Sequence, residues 1–108
     1  MSHQKHDNFG MAFAQCIADG LKPHPEWIAL AKANLDRWSQ QNADVPSLLH
    51  CYEEWRAILE LPTEDIINIL LDPTDNGQRL RQNSPFAGAL SPQEVWRMKR
   101  QAHETTTT

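Results

Sequence analysis

Apolar residues along this chain recur at three- and four-residue spacings in separate stretches, each bounded by proline, glycine or a polar connector. That period predicts helices that bury one face. Phe9, Phe13, Cys16 and Ile17 form the first stripe, with Asp7 or Asn8 as its cap and Gly20 as its stop. Pro25 suits a first helical position with Glu26 in the first turn, and Trp27, Leu30, Ala31, Leu35 and Trp38 carry a second helix to about Gln41. After a polar connector, Pro46 restarts a helix striped by Leu48, Tyr52, Trp55 and Leu59, with Cys51 and Ile58 widening the stripe.

Pro62 ends that helix, and Thr63 reads as the cap of a short one with Glu64 and Asp65 in its first turn. Ile66, Ile67, Ile69, Leu70 and Leu71 are apolar nearly all round, which predicts a buried central element, with a strand as the competing reading. Asp72 and Pro73 stop it. Residues 74–83 offer another short helix around Leu80, and 84–88 read as a loop from their Pro and Gly. Ser91-Pro92-Gln93-Glu94 is a strong start signal: a capping serine, proline at the first position, and glutamate three residues after the cap. Val95, Trp96, Met98 and Ala102 then carry a final helix to about His103.

The expected fold is all-α: a compact single-domain bundle of five to six short helices over residues 7–104, with a flexible leader at 1–6 and a disordered tail at 105–108. Its core is expected from the stripes 9–17, 27–38, 48–59 and 66–71, closed by Trp96.

Composition is compatible with this. A chain of 108 residues has room for one core, and 40% hydrophobic with 22% charged residues suits a globular domain rather than a disordered one. The unusual feature is four tryptophans, each a candidate core anchor. The net charge of −4 argues against a surface devoted to nucleic acid or anionic lipid. Its distribution is uneven. Glu53, Glu54, Glu60, Glu64, Asp65, Asp72 and Asp75 make the middle acidic, whereas Arg79, Arg81, Arg97, Lys99 and Arg100 make the C-terminal part basic. Two cysteines are too few for a disulfide framework, the N-terminus lacks a signal pattern, and no apolar run approaches ~18 residues. A cytoplasmic chain with no membrane role is the expectation.

Candidate chemistries thin out on spacing. Asp72, Thr74 and Asn76 with Gly77 begin like a calcium loop, but its twelfth position is Asn83 where a bidentate glutamate is needed. A helix stop followed by an Asx-type turn explains the same residues. Cys16, Cys51, His24 and His50 lack the close pairing that structural zinc requires, and the two cysteines read as small core residues. His50 and Cys51 are adjacent, so on a helix they point about 100° apart and cannot form a dyad. The acidic middle reads as a solvated face rather than as acid–base machinery. No phosphate-cradling glycine loop is present. The sequence therefore points to no cofactor, no metal and no catalytic residue.

The segment from Gly77 to Arg100 carries the most distinctive surface chemistry. Arg79 and Arg81 precede a loop containing Phe86, and the capped helix after it bears Trp96, Arg97 and Arg100. Bases flanking a loop aromatic can grip phosphates while a ring stacks or wedges, and Trp with Arg is the pairing enriched at interface hot spots. The competing reading has Phe86, Leu90 and Trp96 pinning the last helix to the core while the arginines pair with the acidic middle. The leading expectation is a non-enzymatic regulatory or adaptor protein that binds another protein, or its own copy, through Arg79, Arg81, Phe86, Trp96, Arg97 and Arg100. A nucleic-acid-associated regulator using the same bases is the second. A small enzyme or metal protein built on the acidic cluster or the Cys/His set is the third.

Overall fold

Helix punctuation falls largely where proline and the capping residues place it. The structure, a computed structural model, describes the backbone of residues 2–107 and the side chains of residues 9–101. Six helices run in order: α1 (Ser2–Gly20), α2 (Glu26–Gln41), α3 (Pro46–Leu59), α4 (Thr63–Leu70), α5 (Asp75–Arg81) and α6 (Pro92–Thr107). No strand occurs among the described residues, so the strand reading of 66–71 is set aside. The leader expected at 1–6 and the tail expected at 105–108 concern side chains outside the described residues.

Three starts differ from expectation. Pro25 is the N-cap of α2 rather than its first residue. α1 begins at Ser2, so Asp7 and Asn8 lie inside it rather than capping it. α4 begins at Thr63 with Pro62 as its N-cap and no side-chain cap; the carbonyl of Pro62 accepts from Asp65 at 2.9 Å and from Ile66 at 3.1 Å. Two others follow the sequence signals closely. The Thr74 hydroxyl accepts from the Gly77 amide at 3.3 Å and caps α5. At α6, Ser91 Oγ accepts from the Glu94 amide at 3.1 Å while Glu94 Oε1 accepts from the Ser91 amide at 3.0 Å, a reciprocal capping box.

The helices group as α2 against α3, and α1 against α4, α5 and α6, with α4 also packed on α5. One core joins the groups, running through Ile17, Leu35, Trp55, Leu59, Ile66, Leu80 and Phe86. Trp55 of α3 is its centre. Fully buried, it meets Phe86 edge-on with ring centroids 6.3 Å apart, and its indole nitrogen donates to the Leu80 carbonyl at 3.1 Å. An aromatic ring with one polar handle thus packs the core and satisfies a backbone acceptor at once.

The connector between α5 and α6 is held inside the fold rather than draped over it. Pro85 and Phe86 are buried, and Asn34 of α2 donates to the carbonyls of Pro85 at 2.8 Å and Ala87 at 2.9 Å. Arg37 completes the asparagine by donating to Asn34 Oδ1 at 2.6 Å. A buried amide side chain is tolerated because every hydrogen-bonding atom it carries has work to do. Gly88, at φ +92°, then turns the chain outward through a conformation that L side chains rarely adopt.

The core departs from the stripes at several places. α4 buries Ile66 and Leu70 but leaves Ile67 and Ile69 half-buried, so it covers one side of the core rather than forming its centre. Cys16 is exposed, with its thiol 3.7 Å from the Met98 sulfur, whereas Cys51 is buried as expected. Trp96 does not close the core: it is 62% exposed, and Leu90 with Phe86 supplies the closure instead.

Candidate functional site

The six residues singled out by sequence separate into two groups. Arg79 is tied down by a bidentate pair to Glu54 of α3, both N–O distances being 2.9 Å, and by Asn76 at 2.7 Å. That guanidinium holds the Glu54 carboxyl below its ordinary range, its hydrogen bonds outweighing the desolvation that opposes them. Arg81 is 7% exposed and donates from one nitrogen to the carbonyls of Leu70 and Asp72, where α4 ends. Phe86 is wholly enclosed beside Trp55. The wedge role expected of Phe86 and the surface role expected of Arg81 are therefore corrected: both residues build the interior that carries α6. The reason is the Pro85 turn, which faces Phe86 inward, and the carbonyls at the C-terminal end of α4, which a cation complements.

Trp96, Arg97 and Arg100 remain together on the outside of α6. With Gln93 they stand at i, i+3, i+4 and i+7 and line one shallow depression. Arg100 lies over the Trp96 ring with its guanidinium carbon 5.4 Å from the centroid, a cation–π contact. Trp96 and Leu61 are the exposed large hydrophobic residues among those described.

Trp96 is also the lip of something larger. Between the middle of α1, α5, the 84–91 connector and the first half of α6 lies an open groove of about 1120 Å³. Phe9 and Phe13 from α1, Leu90 from the connector and Val95 from α6 supply its apolar lining; Leu70 closes one part of it. Gln78, Gln82 and Ser84 add uncharged polar groups, and Lys99 stands at the edge with its ammonium 5.6 Å from the Phe9 centroid. Small-molecule sites run roughly 300–1,000 Å³, so this groove lies above the upper end of that range. The sequence did not reveal it. Phe9 and Phe13 carry the helical spacing of core residues, and only the arrangement of α1 and α6 leaves them half-covered.

The alternative chemistries find no constellation. Asp72 Oδ1 accepts from the Thr74 amide at 2.9 Å, so the calcium-like sequence is an Asx turn leading into the Thr74 cap. Hydrogen bonds from the Thr74 amide, and then from its side chain, are the main reason the Asp72 carboxyl titrates below its usual range. No three His, Cys, Asp or Glu side chains converge on a metal-sized position among the described residues. His50 reaches toward Glu54 at 3.9 Å, while Cys51 contacts Asn83 and Arg79, so the two neighbours face apart. No helix among the described residues is long and apolar enough to cross a membrane.

Comparison with family models, with curated proteins and with solved structures finds no match to this chain.

Proposed function

We propose that this chain is a non-enzymatic regulatory or adaptor module that takes a segment of a partner protein into the groove between α1, α5 and α6. One observation carries the reading: an open, largely apolar groove whose lip is a tryptophan left 62% exposed. Exposing an indole to water forgoes the stabilisation that burial would bring, and rings of this type anchor protein interfaces. Aromatic and aliphatic walls around a depression of this length suit a row of apolar side chains, the way a helix docks in a groove. Nucleic-acid binding has weaker support. It draws on phosphate contacts along a concave surface, whereas Arg79 and Arg81 are engaged with protein groups, Lys99 stands at the groove's edge, Arg97 and Arg100 lie outside it, and its walls are mainly apolar.

Gly10 offers a clean test. It lines the groove, and a Cβ built on it meets only Arg81 Cβ, at 3.9 Å, so Gly10→Leu would fill the groove while improving helix propensity. A displayed random-peptide library selected on the full chain should yield apolar-rich binders that Gly10→Leu fails to retain. Enrichment of nothing, or of peptides that bind both proteins equally, would overturn the assignment.

A further inference from the structure

We infer that the segment taken by the groove is an acidic amphipathic helix, its apolar face on the groove wall and its carboxylates along α6; this rests on the groove being a protein-binding site. The charge beside the groove selects that partner. After its capping glutamate, α6 presents Arg97, Lys99 and Arg100 among the described side chains, and no acid. Glu94 itself is committed to the cap, where the Ser91 amide holds its carboxyl below the ordinary range. Four of the seven acids of the middle segment are paired with cations other than those of α6: Glu54 with Arg79, Glu53 with Arg56, Glu60 with Lys32 and Glu64 with Lys22. The flank of the groove is thus positive in a chain whose total charge is negative.

The position of these cations matters as much as their sign. Lys99 borders the groove itself, while Arg97 and Arg100 flank Trp96 on its outer side. A helix lying against Phe9, Phe13 and Val95 would have Trp96 along its edge and cations within reach of its polar face. Apolar anchors at i, i+3 or i+4, and i+7 with Asp or Glu between them match that cross-section.

A second copy of the chain fits less well. In a two-fold dimer built on this face, the same patch meets itself, so Arg97, Lys99 and Arg100 of one copy would approach those of the other. Like charges set opposite each other oppose such an interface.

The test uses three labelled helical peptides of about 16 residues, roughly 24 Å long, sharing one apolar pattern and differing only in whether the intervening residues are Glu, Gln or Lys. Fluorescence anisotropy against the full chain at low and moderate salt should rank them Glu over Gln over Lys. The Glu and Lys peptides should differ at least tenfold in affinity, and the gap should shrink as salt rises. Arg97→Glu combined with Arg100→Glu should reverse the order, with thermal unfolding still cooperative because both residues are exposed and lie outside the core. Equal binding of all three peptides, abolished by Gly10→Leu, would refute the acidic partner and leave the groove assignment standing. Binding of none would overturn both. Binding of a single-stranded oligonucleotide that displaces the Glu peptide would overturn the protein partner in favour of nucleic acid. A dimer seen by light scattering and broken by Trp96→Ala would overturn it in favour of a second copy.

Discussion

Replacing Arg81 by methionine should cost this protein about 3 kcal/mol of stability, because that side chain finishes α4 from inside the fold. The residue is 7% exposed, and its guanidinium donates to the carbonyls of Leu70, the last residue of α4, and of Asp72. Hydrogen bonds from a charged donor contribute roughly 1.5–3 kcal/mol each, which sets an upper figure near ~6 kcal/mol. Two effects reduce it. The Asp72 carbonyl is only part-buried and can turn to water, and methionine removes the cost of holding a cation away from solvent. The residual ~3 kcal/mol corresponds to a fall in Tm of roughly 12–24 °C for a domain near this size. Thermal and urea unfolding followed by circular dichroism would read it. Arg97→Met, on the outer face of α6, should move stability by less than about 0.5 kcal/mol in the same assay. If the two substitutions cost the same, the buried guanidinium does not hold the end of α4, and Arg81 belongs with the surface residues after all.

Other changes test the remaining supports. Gly77→Ala and Gly10→Ala should act with opposite sign: a Cβ on Gly77 runs into the Asp72 carbonyl and should cost about 1–3 kcal/mol, whereas Gly10→Ala should stabilise by up to about 1 kcal/mol, as urea midpoints would show. Asn34→Ala, which removes both donors to the 84–91 connector, should destabilise by about 2 kcal/mol; it should also weaken any groove ligand, since Ala87, Gly88 and Leu90 line the groove. Glu94 titrates below its ordinary range because of the Ser91 amide, so folding binds fewer protons there than the unfolded chain does. Its contribution is complete above the unfolded pKa of about 4.3 and is lost as pH falls through the lowered folded value. The stability difference between wild type and Glu94→Gln should therefore vanish in acid, and a difference constant from neutral pH to acid would contradict the capping box.

Much of the fold was legible because its signals are local. A 3.6-residue period, proline at Pro46 and Pro92 and the Ser91–Glu94 box act over a turn or two, and each defines an element without reference to the rest of the chain. Asn34 shows where that legibility stops. As a polar residue in a helix it reads as solvent-facing, yet it is 5% exposed because its partners are carbonyls some fifty residues away. Arg81 was misread for the same reason. A cation near an aromatic loop looks the same in sequence whether it faces water or the end of another helix.

The sequence by itself determined that this chain is helical, roughly where each helix begins and ends, and that bases gather at the C-terminal side. Only the tertiary structure decided which apolar residues are covered. Phe9, Phe13 and Val95 carry the same spacing as Ile17 and Leu35, but α1 and α6 meet so that the first three border a groove and the other two are sealed. It also decided that Phe86, not Trp96, fills the space beside Trp55. The physical reason is that helical periodicity states which side of a helix is apolar, and leaves open whether its own fold or another molecule will cover that side.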